Sequence, residues 1–199
     1  MTMQLRRFDP DIPRRRFVAA MWVLGLACLA ALVFSFTLPL DWQTRLIIWI
    51  LLTFVADEAG NWFGYSAIPL GVLPLLPAGT IPLLPLSAAP EQWWVIFPLI
   101  ATSLLACLLM KHAGGPFVLP FAAALFALPI LAAQRLGPLV DPTIKFPANA
   151  QFQQLAFIAA GIGLLVSLIR QIAAAIVRQR QERMTEPEPR VVNLSKDSV

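Results

Sequence analysis

Long apolar runs separated by short polar or proline-bearing turns organise this chain of 199 residues. The runs cover residues 17–38, 42–62, 67–86, 93–110, 117–133 and 152–177. Each approaches the ~20 residues that carry a helix across ~30 Å of hydrocarbon at ~1.5 Å per residue. The pattern predicts an all-α integral membrane protein, a bundle of about six transmembrane helices in which the third is proline-broken or re-entrant. A basic cytoplasmic segment, 1–16, precedes the helical domain of 17–177. Residues 178–199 are polar, with Glu186-Pro187-Glu188-Pro189 and no apolar period, and read as a disordered cytoplasmic tail.

Composition agrees with lipid as the main solvent. The chain is 58% hydrophobic and 13% charged, against roughly 45–50% and about 25% for a soluble domain. Its net charge of +4 does not point to nucleic acid, because the basic residues flank apolar runs, where orientation signals and anionic lipid account for them. Arg14-Arg15-Arg16-Phe17-Val18 resembles an export signal, but the following apolar run of 22 residues exceeds the ~7–15 of a cleavable one and reads as a retained span. Ala27, Ala31 and Ser35 in this span, and Ala159, Gly163 and Ser167 in the last, have the small-residue spacing that lets helices approach closely in lipid. Cys28 and Cys107 lie in apolar runs with no C-x-x-C spacing, so neither a metal nor a redox pair is expected.

Two segments break the regular pattern. From Trp42 to Ala56 the second run has only 15 residues, about 22 Å as a helix. The span is therefore expected to continue through Asp57, Glu58 and Asn61 toward Trp62 and Tyr65. The run 67–86 contains Pro69, Pro74, Pro77, Pro82 and Pro85, with Ile81-Pro82-Leu83-Leu84-Pro85 echoing Leu73-Pro74-Leu75-Leu76-Pro77 around Ala78-Gly79-Thr80. An interior proline removes a helix hydrogen bond at ~3 kcal/mol, so this segment is no ordinary straight helix.

Lysine and arginine placement selects between two layouts. With a full crossing at 67–86 there are six spans, with nine basic residues inside and three outside; a re-entrant segment leaves five spans and a ratio of seven to five. The positive-inside rule favours six spans with both termini cytoplasmic, in a bacterial inner membrane.

Asp57, Glu58, Asn61 and Tyr65 are the first candidate site. On one continuous helix they share an arc of about 100°, and such a stripe faces a bundle interior or a watery cavity as a cation or proton site. The same Asp-Glu-Ala-Gly-Asn run also reads as a solvated turn. Gly79 and Thr80 form the second candidate, at the centre of the proline-rich segment, where a broken span would expose backbone carbonyls to a substrate or ion; a kinked structural span is the plainer alternative. Arg170 is expected either to snorkel to the interface or to pair with Asp57 or Glu58. His112, with no acidic neighbour in sequence, is expected to be an interfacial residue.

The motifs of metalloproteases, serine hydrolases and P-loop ATPases are absent, so no catalysis, cofactor or metal is expected. Two functions remain: a small transport- or channel-type protein with a path along the acidic stripe, or a non-catalytic membrane subunit or assembly factor whose faces such as Ala159, Gly163 and Ser167 bind other spans. Either reading implies lipid as a partner, together with other membrane subunits or further copies of the chain.

Overall fold

A computed structural model describes residues 11–73, 93–113, 117–143 and 150–185. They form six helices and, among themselves, no strands: α1 Asp11–Ser35, α2 Trp42–Ala59, α3 Asn61–Val72, α4 Trp93–His112, α5 Val118–Val140 and α6 Ala150–Thr185. Gly79 and Thr80, with Pro74, Pro77, Pro82 and Pro85, lie outside the described residues.

Four segments are long and apolar enough to cross a membrane: Phe17–Ser35, Val95–His112, Val118–Val140 and Ala150–Val177. Their outward surfaces are apolar too. Trp22, Val23, Phe34, Leu109, Leu128, Ile158, Ile169 and Ile172 are all exposed, a density of large apolar side chains that water would penalise and lipid would not.

Local chemistry starts α2. The Asp41 side chain accepts from the Thr44 backbone N–H at 3.0 Å and from its hydroxyl at 2.5 Å, which satisfies donors that a helix start leaves open. Arg45, buried in the first turn of α2, donates to the carbonyls of Leu40 at 3.2 Å and Leu38 at 2.6 Å. The turn out of α1 is thereby fastened to α2.

The end of α2 departs from expectation. The predicted helix through 62 stops at Ala59, and after Gly60 the chain turns back as α3, which packs against α2 and α1. A Cβ on Gly64 would stand 2.6 Å from that of Asp57 and 2.9 Å from its Cα, so only glycine lets α3 approach so closely. Further along, the Trp49 indole donates to Ala67 O at 3.1 Å. The contacts 57 to 64 and 49 to 67 run in opposite senses, and α2 and α3 therefore form an antiparallel hairpin. Asp57 and Glu58 end one helix while Asn61 and Tyr65 begin the next, so the single four-residue helical stripe does not exist.

The other helices alternate in the same way. Trp49 stacks on Phe97 near the start of α4, with ring centroids 5.8 Å apart, while Lys111 at its end meets Asp57. Trp42 meets Phe152 early in α6, and Ser167 and Arg170 later in α6 meet Glu58. Thus α2, α4 and α6 descend together toward one end, and α5 leaves that end from Val118.

Other boundaries also move. α1 begins at Asp11, before residue 17; α5 continues past 133 to Val140 with Pro129 and Pro138 inside it; and α6 runs past 177 to Thr185 into the segment expected to be disordered. Ala159, Gly163 and Ser167 are buried within the chain, and a Cβ on Gly163 would collide with the Phe54 ring of α2. This small-residue face is used inside the bundle and is not free for a partner span. Ala27 and Ala31 of the α1 stripe instead face outward, while Cys28, Leu32 and Phe36 join the core.

Candidate functional site

The descending helices α2, α4 and α6 bring Asp57 and Glu58, Lys111 and His112, and Arg170 together toward one end of the bundle. Each has few polar residues to place, and in apolar surroundings opposite charges gain most by meeting. Asp57 and Glu58, in the last turn of α2, are buried, not solvated. The expected turn is present, but α3, α4 and α6 cover its acids.

All four carboxylate oxygens have partners. Lys111 Nζ donates to Asp57 Oδ2 at 2.7 Å, and His112 Nε2 to Asp57 Oδ1 at 2.9 Å. With Asp57 as a carboxylate, which can only accept, His112 is the donor through Nε2. Lys111 also forms an ion pair with Glu58 Oε1, to which the Ser167 hydroxyl donates, and Arg170 Nε donates to Glu58 Oε2. Lys111 is thus shared by both acids and ties α4 to the end of α2, while Ser167 and Arg170 tie α6 to it.

The acids lie inside and two of the bases lie outside. Side-chain exposure is 0% for Asp57, 5% for Glu58 and 4% for Lys111, but 27% for His112 and 49% for Arg170. A pocket of about 250 Å³ opens against this outer layer, lined by Asp57, Asn61, Lys111, His112, Val118, Arg170 and Gln171. Tyr65 stands beside it, with its ring centroid 5.9 Å from that of His112.

Of the residues singled out from sequence, Asp57, Asn61 and Arg170 share this pocket, Glu58 lies behind it and Tyr65 flanks it. The pairing of Arg170 with Glu58 is the sharper of its two expected roles. His112 was expected to lack an acidic partner, and its bond to Asp57 corrects that: sequence proximity is a poor guide when helices return to the same end. Lys111, Ser167 and Gln171 were not anticipated as site residues. For Lys111 a signal existed, since the six-span layout puts the ends of the second, fourth and sixth spans on one side. Among the described residues, no group of three or more histidine, cysteine or acidic side chains is placed to hold a metal ion.

With two carboxylates against Lys111 and Arg170, the cluster is balanced when His112 is neutral and gains a positive charge when His112 is protonated. The arrangement leaves both carboxylates fully engaged and turns the outer edges of His112 and Arg170 toward the pocket. No protein-family model matches the chain, and neither a curated protein nor a solved structure is significantly similar to it.

Proposed function

We propose that the chain is a six-span inner-membrane protein of the transport or channel type, with cytoplasmic termini and the ionic cluster at the cytoplasmic end of its path. The observation that carries this reading is the burial of Asp57, Glu58 and Lys111, paired with the more exposed His112 and Arg170, against a pocket among apolar helices.

Energetics support it. A charge at the centre of a bilayer costs at least ~2.5–3.5 kcal/mol on insertion scales. Ion pairs recover such a cost, but apolar side chains of similar volume commonly hold helices together as well or better. Five ionisable groups beside a pocket are therefore a poor investment for adhesion alone. Arg170 precedes Val177, the end of the apolar stretch of α6, by about 10 Å of helix at ~1.5 Å per residue. On α4, Lys111 and His112 are the last residues of the apolar stretch, so on this reading the cluster lies at the cytoplasmic edge of the apolar layer, with the end of α6 continuing beyond it.

In the working scheme Asp57 is the exchangeable group. Its oxygens hold Lys111 and His112, and a proton or small cation entering the pocket competes with these bases for the same carboxylate. Release toward the bundle interior requires Lys111 to shift between Asp57 and Glu58, which it already bridges.

Purified protein reconstituted into vesicles containing a pH-sensitive dye tests the reading under imposed proton, sodium and potassium gradients. Flux above that of empty vesicles, lost in Asp57→Asn and reduced in Glu58→Gln while both variants remain folded, is the expected result. Wild-type flux equal to the empty-vesicle leak under all three gradients sinks the proposal.

A further inference from the structure

The pocket presents to an incoming ligand a surface of the opposite character from the acidic pair that drew attention in the sequence. Asp57 reaches its wall with both oxygens already taken by Lys111 and His112, and Glu58 is withdrawn behind Lys111 and Arg170. The accessible groups include the donor edge of Arg170, with two carboxamides and the outer nitrogen of His112 beside it. Arg170 uses Nε on Glu58, and its two terminal nitrogens have no hydrogen-bond partner among the described residues. His112 uses Nε2 on Asp57, so Nδ1 remains for the pocket and adds a donor when the ring is protonated. Asn61 and Gln171 add two exposed carboxamides to the rim.

We propose that this pocket binds a phosphate oxyanion, held by the free end of the Arg170 guanidinium with His112, Asn61 and Gln171 around it. A guanidinium whose terminal nitrogens form a fork matches two phosphate oxygens at once. The volume of about 250 Å³ lies below the ~300–1,000 Å³ of pockets for drug-sized ligands, which suits a single headgroup or ion. Placement also favours an anion at the membrane edge. Phe117 and Phe121 flank Val118 on α5, and Ile169 and Ile172 flank Arg170 and Gln171 on α6, all four exposed. A pocket that offers a free guanidinium edge and is bordered by lipid-facing apolar side chains accepts the phosphate of an anionic lipid while its chains follow the helices. Free phosphate offers the same oxyanion without the chains. The inference rests on the reading of the cluster as a membrane-embedded ionic site, but it requires binding and not flux.

Delipidated full-length protein in a neutral detergent is the material for the test. Its thermal unfolding is followed with added inorganic phosphate, with phosphatidylglycerol in mixed micelles, and with zwitterionic phosphatidylcholine; native mass spectrometry counts bound lipid. A rise in melting temperature with phosphatidylglycerol but not phosphatidylcholine or inorganic phosphate supports the site with a headgroup as its ligand. A rise with inorganic phosphate supports the site with the free anion. Gln171→Leu lies outside the ion pairs, and Arg170→Lys retains the charge beside Glu58; each is expected to weaken apparent binding by about tenfold. No rise with either phosphate source, or a rise of equal midpoint in both variants, overturns the proposal. Because vesicle flux is measured separately, binding without flux refutes transport alone, and flux without binding refutes the phosphate site alone.

Discussion

Asp57 and His112 stand 55 positions apart in the chain, yet His112 Nε2 donates to Asp57 Oδ1 at 2.9 Å. The bond joins the last turn of α2 to the last residue of α4. It exists because the two helices run in the same direction and end at the same level. Lys111, one residue earlier, reaches both acids of α2 from the same place.

Removal of Lys111 should be the most damaging single change in the cluster. Lys111→Met leaves two buried carboxylates sharing too little positive charge, and loss of one partner from a buried ion pair costs about 3–5 kcal/mol. Thermal unfolding in detergent should show a large drop, partly restored by adding Asp57→Asn and Glu58→Gln. A melting temperature unchanged by Lys111→Met would mean that the ion pairs contribute nothing to folding.

Two glycine substitutions should separate packing from propensity. In Gly64→Ala the new methyl meets the backbone of Asp57, so the α2 and α3 hairpin must open and both melting temperature and folded yield fall. Gly161→Ala has nothing within 4 Å of its new Cβ and should be neutral or stabilising by up to about 1 kcal/mol from helix propensity. Equal effects in parallel melts would contradict the close approach at Gly64.

The Asp41 cap should be lost at low pH. The Thr44 hydroxyl and backbone N–H hold the Asp41 carboxyl below its ordinary range. A depressed native pKa adds stability above the unfolded value of ~3.9 and loses it as pH falls through the lower native value. Wild type should therefore melt above Asp41→Ala at pH 7, and the gap should close as the pH drops below about 4. A gap independent of pH would assign the difference to something other than the charged cap.

Labelling should decide the span count. Thr143, just beyond α5, is exposed, whereas the two native cysteines are buried. Thr143→Cys in intact cells should react with a membrane-impermeant maleimide if the chain crosses six times. Reaction only after the membrane is permeabilised would indicate five crossings and reverse the orientation of everything after α3.

Much of the molecule was legible before its structure. Five of the six helices each follow one apolar run, while α3 straddles the end of the second and the start of the third; a backbone in lipid leaves helix as the available answer. Asp57, Glu58 and Arg170 stood out because charges amid apolar residues are costly wherever they lie. The Asp-Glu-Ala-Gly-Asn turn is legible in the sequence as one of two readings; the other, a helix continuing to residue 62 on a length argument, fails because α2 stops at Ala59 and α3 packs back against it at Gly64.

What the chain alone determined was therefore the class of fold, the approximate helices and which acidic groups needed partners, all consequences of local hydropathy and the cost of isolated charge. Only tertiary structure decided which partners they found. Lys111, His112, Ser167 and Arg170 reach Asp57 and Glu58 because the end of α4 and the middle of α6 pack beside the end of α2, and adjacency between helices depends on interlocking side chains such as Phe54 against Gly163 and Trp49 against Phe97. The same packing turned an acidic stripe into buried acids behind a basic mouth, because the shorter carboxylates stay within while histidine and arginine reach outward.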